Sequence, residues 1–506
     1  MPSPVRFEDM LILLPGIGGS VLYDRDGPLW DPSLGLAGAL LRDDAYRIER
    51  LAEDAALLDD PTYESEIQPV GLISRATTLP GLAGVNTYHP LRRALEMNLE
   101  VVTGDPRRDG PPANYFEFAY DWRRDLRVSA ARLRTLIDRE LPKWNGLRPA
   151  GKAARTVLIA HSMGGLVAKY YLDVLGGWRT CRALITFGTP YRGAPVAADY
   201  LANGFRKFAV SFAGLTRLIS GFTPVHQLLP RYSMVRDVRP DAGGPLLRII
   251  DLPVDIGALS VERAAHARSD VHMKLNTPPL VWNQAWIPIA GYGHRTLQTV
   301  AFDGLHLTTS RADQSLPRAS ALGLTELLRQ ELNGGDGTVP ELSATPLEMA
   351  GTGIRDWENG KHSSVHGMPD VLEKLLRILI TLPGGGTGHL EAPANDGPQL
   401  RVRTPRSPSI APPDAPALDL TVDDVYDHDE TVEIRCGLAN STAPGPAEVE
   451  ITGRSADGRP VALQDAVEAD CDGYRWSAGS LPAGGYLVTL RVPSLGLAAS
   501  DVFEVC

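Results

Sequence analysis

Ser162 is the residue best placed to do chemistry, and its neighbours say which chemistry. It stands in Ala160-His161-Ser162-Met163-Gly164, directly behind the apolar run Thr156-Val157-Leu158-Ile159. Small residues on both sides of the serine are what a strand needs to turn sharply into a helix and carry a hydroxyl at the tip of the turn. Gly164-Gly165 then let the following helix, Leu166 to Leu172, pack close to the sheet. A serine so placed is open to a substrate and to a histidine, and the Met163 N–H can face a developing oxyanion. The bare pentapeptide also fits an ordinary strand-to-helix turn that happens to contain serine.

Nucleophilic catalysis at a serine needs a base, an acid that holds the base, and a second oxyanion donor. Leu14-Pro15-Gly16-Ile17-Gly18-Gly19-Ser20 follows the apolar run Leu11–Leu14, and Ile17 N–H is its expected donor beside Met163. This loop is no dinucleotide site, because the GxGxxG spacing and the downstream acid are missing. Gly334-Gly335-Asp336-Gly337-Thr338-Val339-Pro340 sets an aspartate between glycines, so Asp336 is the expected acid. For the base, Lys361-His362-Ser363-Ser364-Val365-His366-Gly367 offers two histidines. His366 is preferred, because it comes just before Met368-Pro369 and the helical spacing of Val371, Leu372, Leu375, Leu376 and Leu379; His362 is the alternative. The chain order Ser, Asp, His is that of α/β-hydrolases, not of the chymotrypsin or subtilisin types. Such chemistry calls for no cofactor and no metal.

These residues need elements to hold them. Strand-like runs at Leu11–Leu14, Tyr115–Ala119, Thr156–Ala160, Ala183–Phe187 and Trp286–Ala290 alternate with helical patterns at Ser129–Leu141, Gly165–Leu175 and Val371–Leu379. That alternation predicts an α/β domain with a parallel sheet covered on both faces. Residues 384–417 hold seven prolines and five glycines and read as a linker. Beyond it the period becomes two, at Leu418–Val422, Thr431–Cys436, Ala447–Thr452, Val461–Ala466, Tyr474–Ser477, Tyr486–Val492 and Asp501–Val505. Short strands broken by Asp, Gly, Pro and Asn suggest an all-β immunoglobulin- or fibronectin-like sandwich over 418–506. It carries no catalytic cluster and reads as a binding or stabilising module.

Composition narrows the class further. A chain of 506 residues is too long for one ordinary core. Its 50 basic and 61 acidic residues give a net charge of −11, which argues against nucleic acid as a partner and against steering to an anionic membrane. No apolar run reaches the roughly 18 residues of a transmembrane helix, and the N-terminal stretch reads as a first core strand instead of a signal peptide. Cys181, Cys436, Cys471 and Cys506 contain no CxxC pair, so neither a disulfide framework nor a zinc site is expected, and a cytoplasmic location is the default. One bridge among the last three stays open.

Several segments together carry a family resemblance. They are Pro15-Gly16-Ile17-Gly18-Gly19-Ser20, Tyr120-Asp121-Trp122-Arg123, Ala160-His161-Ser162-Met163-Gly164-Gly165, Gly188-Thr189-Pro190-Tyr191-Arg192-Gly193-Ala194 and Gly335-Asp336-Gly337-Thr338-Val339-Pro340. Together they resemble the lecithin:cholesterol acyltransferase family, and Phe222 to Pro230 is similar to that family's segment ending in Leu-Leu-Pro. The match runs from about residue 8 to 380. It implies an α/β-hydrolase fold over 1–383, a triad of Ser162, Asp336 and His366, and acyl-ester chemistry on glycerolipids. Relatives of this kind include acyltransferases, phospholipases A and esterases. The N-terminal stretch reads without the signal peptide and the cysteine pair of the secreted animal members, an expectation that weighs against lipoprotein-type substrates.

Two segments exceed a minimal hydrolase and are expected to form cap insertions, at about 24–114 and 198–281. In the second, Phe205, Phe208, Phe212, Leu215, Ile219 and Phe222 recur at steps of three and four, as one apolar helix face would. That face predicts either a cap helix packed on the core or a lid that lines an acyl tunnel or touches a lipid surface. Expected partners are a lipid or acyl-ester substrate, a transient lipid surface, and a protein or ligand held by the C-terminal sandwich. The rival readings are a small-ester, polyester or thioester esterase, and a binding protein on a hydrolase scaffold.

Overall fold

The computed structural model describes residues 4–31, 45–52, 57–73, 88–204, 206–207, 210–211, 213–240, 242, 246–267, 285–292, 294, 296–309, 334–346, 356–358, 360–382, 417–422, 425–426, 429, 431–439, 445–455, 459–470, 473–495 and 497–505. Strands β1 (Met10–Leu14), β2 (Tyr115–Glu117), β3 (Thr156–His161), β4 (Cys181–Phe187), β5 (Ala285–Gly291) and β6 (Asp356–Glu358) join in the order β6-β5-β4-β3-β1-β2. Every neighbouring pair is parallel. The first five lie where the apolar runs predict them. β6 is too short and too polar to stand out in the sequence and exists by pairing with Ile289–Gly291.

β1, β3 and β4 are buried along their whole length, because both faces of the sheet are covered. Met10, Ile12 and Leu14 point into one core with Leu158, and Leu11 and Leu13 into another with Val157 and Ile159. The helices that cover these faces are α1 (His89–Asn98), α2 (Leu126–Asn145), α3 (Met163–Asp173) and, late in the chain, α7 (Pro369–Thr381). Leu133 and Ile137 of α2 and Leu166 of α3 pack on the first face, while Leu91 and Leu95 of α1 and Leu375 and Leu379 of α7 pack on the second. β1 sits between β2 and β3, so the connections leave it in opposite directions. The loops after β1 and β3 therefore meet at the carboxyl edge, where open α/β sheets bind their ligands.

Between β4 and β5 lie α4 (Pro195–Asn203), α5 (Ala213–Ser220) and α6 (Thr223–Gln227). The apolar stripe from 205 to 222 is not one helix, contrary to expectation. Arg206–Lys207 pairs antiparallel with Val210–Ser211, and α5 begins only at Ala213. The steps of three and four hid a second reading, since Phe208, Val210 and Phe212 also alternate at the strand period. Phe205, Phe208 and Phe212 lie outside the described residues, and Leu215 falls within α5. Ile219 and Phe222 are buried.

The expected linker lies outside the described residues up to position 416. Beyond it come β7 (Ala417–Val422), β8 (Glu433–Ala439), β9 (Ala447–Ser455), β10 (Pro460–Val467), β11 (Gly473–Ser477), β12 (Gly484–Val492) and β13 (Leu497–Val505). Each falls on a segment of period two in the sequence. β7, β8 and β11 share one sheet and β13, β12, β9 and β10 another, all with antiparallel pairing. Ile434, Val449, Ile451, Tyr474, Val488 and Phe503 lie in a core of their own. Among the described residues no helix is long and apolar enough to cross a membrane.

Candidate active site

β3 ends at His161 and α3 starts at Met163, so Ser162 is the single residue of the turn. Its backbone has φ +52° and ψ −126°, and it is the only non-glycine with positive φ among the described residues. Such a conformation costs about 1–3 kcal/mol and persists only where the surroundings enforce it. Here Ser162 N–H donates to Phe187 O at 2.8 Å, while Ser162 O accepts from Gly165 N–H and from Thr189 Oγ1, both at 3.0 Å.

The enforced turn points Ser162 Oγ at a histidine, and that histidine is His362. Its Nε2 lies 2.8 Å from Ser162 Oγ, and its Nδ1 lies 2.7 Å from Asp336 Oδ2. All three side chains are buried. Asp336 Oδ1 accepts from the N–H groups of Thr338 (3.0 Å) and Val339 (2.6 Å), which leaves Oδ2 to face the imidazole. A carboxylate only accepts, so Nδ1 carries the ring proton and Nε2 is left to accept from the serine hydroxyl. The glycine-flanked loop also accepts the main chain of the histidine, His362 N–H to Asp336 O at 2.8 Å.

The preference for His366 is thereby reversed. Val365–Gly367 forms a short 3-10 turn ahead of α7, and this turn carries His366 behind the site. Its ring is fully buried against His161 (centroids 4.5 Å apart) and Tyr88 (4.9 Å). Counting back from the last helix overlooked the turn, which uses up the residues next to that helix.

Two glycines make room for this arrangement. A Cβ on Gly188, where φ is +55°, would stand 2.8 Å from Asp336 Oδ2 and 2.9 Å from His362 Nδ1. The Gly188-Thr189-Pro190 motif thus bends over the acid–base hydrogen bond. A Cβ on Gly16 would stand 2.8 Å from Ser162 Cβ, so the loop after β1 lies directly against the nucleophile position.

That loop is held by the Tyr120–Arg123 motif, from which Asp121 and Arg123 were expected to fix it or to touch substrate, and by Trp30. Tyr120 Oη donates to Pro15 O (2.8 Å), Trp30 Nε1 to Gly18 O (2.8 Å) and Trp122 Nε1 to Ser20 O (3.2 Å). In the Tyr120–Arg123 motif the two aromatics fix the loop. Asp121 and Arg123 instead pair with each other, at 2.9 and 2.7 Å, and Arg123 donates to Leu51 O at 2.9 Å. Spacing alone could not reveal this, because the tryptophan at position 30 and the motif near 120 meet only after folding, with ring centroids 4.7 Å apart.

A pocket with about 750 Å³ of empty space, including its mouth, opens onto Ser162 and His362. Its wall is largely apolar, with Ile17 from the loop, Ala194, Val196 and Ala197 at the start of α4, Ile219 of α5, and Leu228. Of the residues expected in a lid, Ile219 lines this pocket. Phe222 turns into the core and meets Trp122 edge-on at 5.9 Å.

Comparison with known proteins adds the following. Among solved structures the chain is similar to the Bacillus licheniformis lipase BlEst2. Against its mature form the identity is 13 %, with 75 % of this chain and 96 % of that one covered and a TM-score of 0.31. Against its propeptide form the identity is 12 %, with coverage of 99 % and 94 % and a TM-score of 0.31. A CARDB domain of the Pyrococcus furiosus protein PF1109 is similar over 18 % of this chain and 91 % of its own length, at 11 % identity and a TM-score of 0.13. No curated protein matches the sequence. The lecithin:cholesterol acyltransferase family model matches residues 111–241, a stretch that contains the Tyr120–Arg123 motif, the elbow and the Gly188–Ala194 segment. The resemblance read from the motifs is thus shown, and over residues 111–241 the chain carries the pattern of the lecithin:cholesterol acyltransferase family.

Proposed function

We propose that the chain is a serine-dependent acyl-ester hydrolase or acyltransferase acting on lipid esters of the glycerolipid class. The observation that carries this reading is the unbroken line Asp336–His362–Ser162 at the floor of an apolar pocket. The family match supports the same class of chemistry in its general form.

In this reading His362 Nε2 takes the proton of Ser162 as Oγ attacks the ester carbonyl carbon. The oxyanion so formed is met by Met163 N–H, at the start of α3 where amides have no partner within the helix, and by Ile17 N–H. Each such donor contributes about 3 kcal/mol to the barrier reduction. Asp336 keeps the ring in its tautomer and stabilises the imidazolium. His362 then protonates the leaving alcohol, the C–O bond breaks, and an acyl-serine remains. Water or a second alcohol, deprotonated by His362, attacks that ester, and collapse returns Ser162 with release of a fatty acid or a new ester. The apolar wall at Ala194, Val196, Ala197 and Ile219 receives the acyl chain. We read the C-terminal sheets as an immunoglobulin-like sandwich that binds or stabilises and takes no part in these steps.

The test incubates the protein with mixed phospholipid vesicles, with and without sterol and diacylglycerol, and profiles the products by mass spectrometry. Free fatty acid alone marks a hydrolase, and new esters mark a transferase. Ser162→Ala should abolish both the products and fluorophosphonate labelling; a variant still labelled would remove Ser162 from the mechanism.

A further inference from the structure

The mechanism above leaves a buried cluster unused. Tyr88, His161 and His366 pack together beneath Ser162, and none of them belongs to the triad. Tyr88 immediately precedes α1, and His161 is the last residue of β3. Neither was singled out by the sequence. Both are almost wholly buried, at 1 % and 7 % exposure, so each polar atom there needs a partner.

The hydrogen bonds between them run in one direction. Gly16 N–H donates to Tyr88 Oη at 2.8 Å. Tyr88 Oη lies 2.9 Å from His161 Nδ1, and His161 Nε2 lies 2.8 Å from His362 O. A backbone carbonyl can only accept, so Nε2 must carry the proton of a neutral His161. Nδ1 is then an acceptor, and the tyrosine hydroxyl must donate to it. Every proton is accounted for, and no second arrangement satisfies all three contacts with a neutral ring. Burial, reinforced by His366 and His362 alongside, holds His161 well below the usual histidine range and so keeps the ring neutral.

We propose that Tyr88 and His161 are positioning residues for the acyl-transfer site, through the chain Gly16 N–H → Tyr88 Oη–H → His161 Nδ1, continued by His161 Nε2–H → His362 O. Three pieces of the site come from three separate loops: the oxyanion loop after β1, the elbow after β3, and the loop that carries the base. The sheet positions the first two directly, whereas the base stands four residues beyond the short edge strand β6, on the far side of β4 and β5 from the elbow. This chain of hydrogen bonds joins all three. It also commits Gly16 N–H to Tyr88, which leaves the neighbouring Ile17 N–H as the expected oxyanion donor. The inference rests on the serine-hydrolase reading, and the experiment separates the two.

The probes are p-nitrophenyl octanoate turnover and fluorophosphonate labelling of the full chain, compared for wild type, Tyr88→Phe, His161→Gln and the double variant. Tyr88→Phe keeps the ring and removes only the hydroxyl. It should lower kcat and the maximal labelling rate by roughly tenfold to a hundredfold, with KM unchanged within about twofold, as for a loss felt in the transition state. His161→Gln should behave in the same way, and the double variant should be no slower than the slower single, because both residues act through one chain. Either single variant decides the matter on kcat against KM should the other fail to fold. Turnover by Tyr88→Phe at the wild-type rate, a change confined to KM, or fully multiplicative effects in the double variant would overturn the proposal. A wild-type protein that fluorophosphonate does not label would instead overturn the serine-hydrolase reading itself.

Discussion

At the scale of single residues, the central fact is that a hydroxyl, an imidazole and a carboxylate lie in line with one proton fixed on Nδ1. His362→Ala should therefore lower kcat by roughly a thousandfold or more. His366→Gln, altering a ring that packs behind the elbow, should keep at least a tenth of the activity. Ester turnover by the two purified variants decides between them, and the opposite ranking would return the base to His366. Ser162 and Asp336 were legible because each sits in a local pattern of small residues whose purpose is a tight turn. The base was not, because both histidines of Lys361–Gly367 satisfy the same local requirement. What separates them is the hydrogen bond from Asp336 and the 3-10 turn at Val365, and both appear only in three dimensions. Tyr88 and Trp30 were invisible for the same reason: they act on loops far away in the chain.

Elements set the shape of the pocket. α4 begins directly after the Gly188–Ala194 segment, and the small residues Ala194 before it and Ala197 within it leave the space that an acyl chain would fill. Ala197→Trp should fill part of that space. The expected outcome is a preference shifted from octanoyl and longer p-nitrophenyl esters toward acetyl and butyryl, with short-ester kcat retained within about threefold. An unchanged chain-length profile would place the acyl chain elsewhere. The strands of both sheet regions were legible, because continuous apolar runs and period-two alternation leave few other structures open to them. The apolar stripe from 205 to 222 was less so. Its apolar spacing fitted a helix and a short hairpin alike, and pairing across Arg206–Lys207 and Val210–Ser211 chose the hairpin.

For the molecule as a whole, buried histidines tie stability to pH. His226 and His294 both have pKa values pushed down to about 4, first by burial and then by the cations Arg263 and Lys361 respectively. An unfolded chain binds a proton on each at its ordinary value near 6.5. Between about pH 6.5 and 4 the unfolded state therefore binds more protons, and stability falls as pH falls through that window. The melting temperature should drop on going from pH 7.5 to 5, and His294→Gln should flatten the drop. A melting temperature independent of pH across that range would show that these rings are not neutral in the native state.

The backbone of Ser162 has one more consequence for the whole chain. Glycine adopts φ +52° freely, whereas serine is strained there. Ser162→Gly should relieve about 1–3 kcal/mol of strain and lose about 0.5–1 kcal/mol to the greater freedom of the unfolded chain. The inactive Ser162→Gly protein should accordingly melt higher than the wild type by a degree or more, measured side by side in one buffer. On the proposed mechanism, activity is carried at the expense of robustness: the residue this turn would tolerate best is the one that could not perform the reaction.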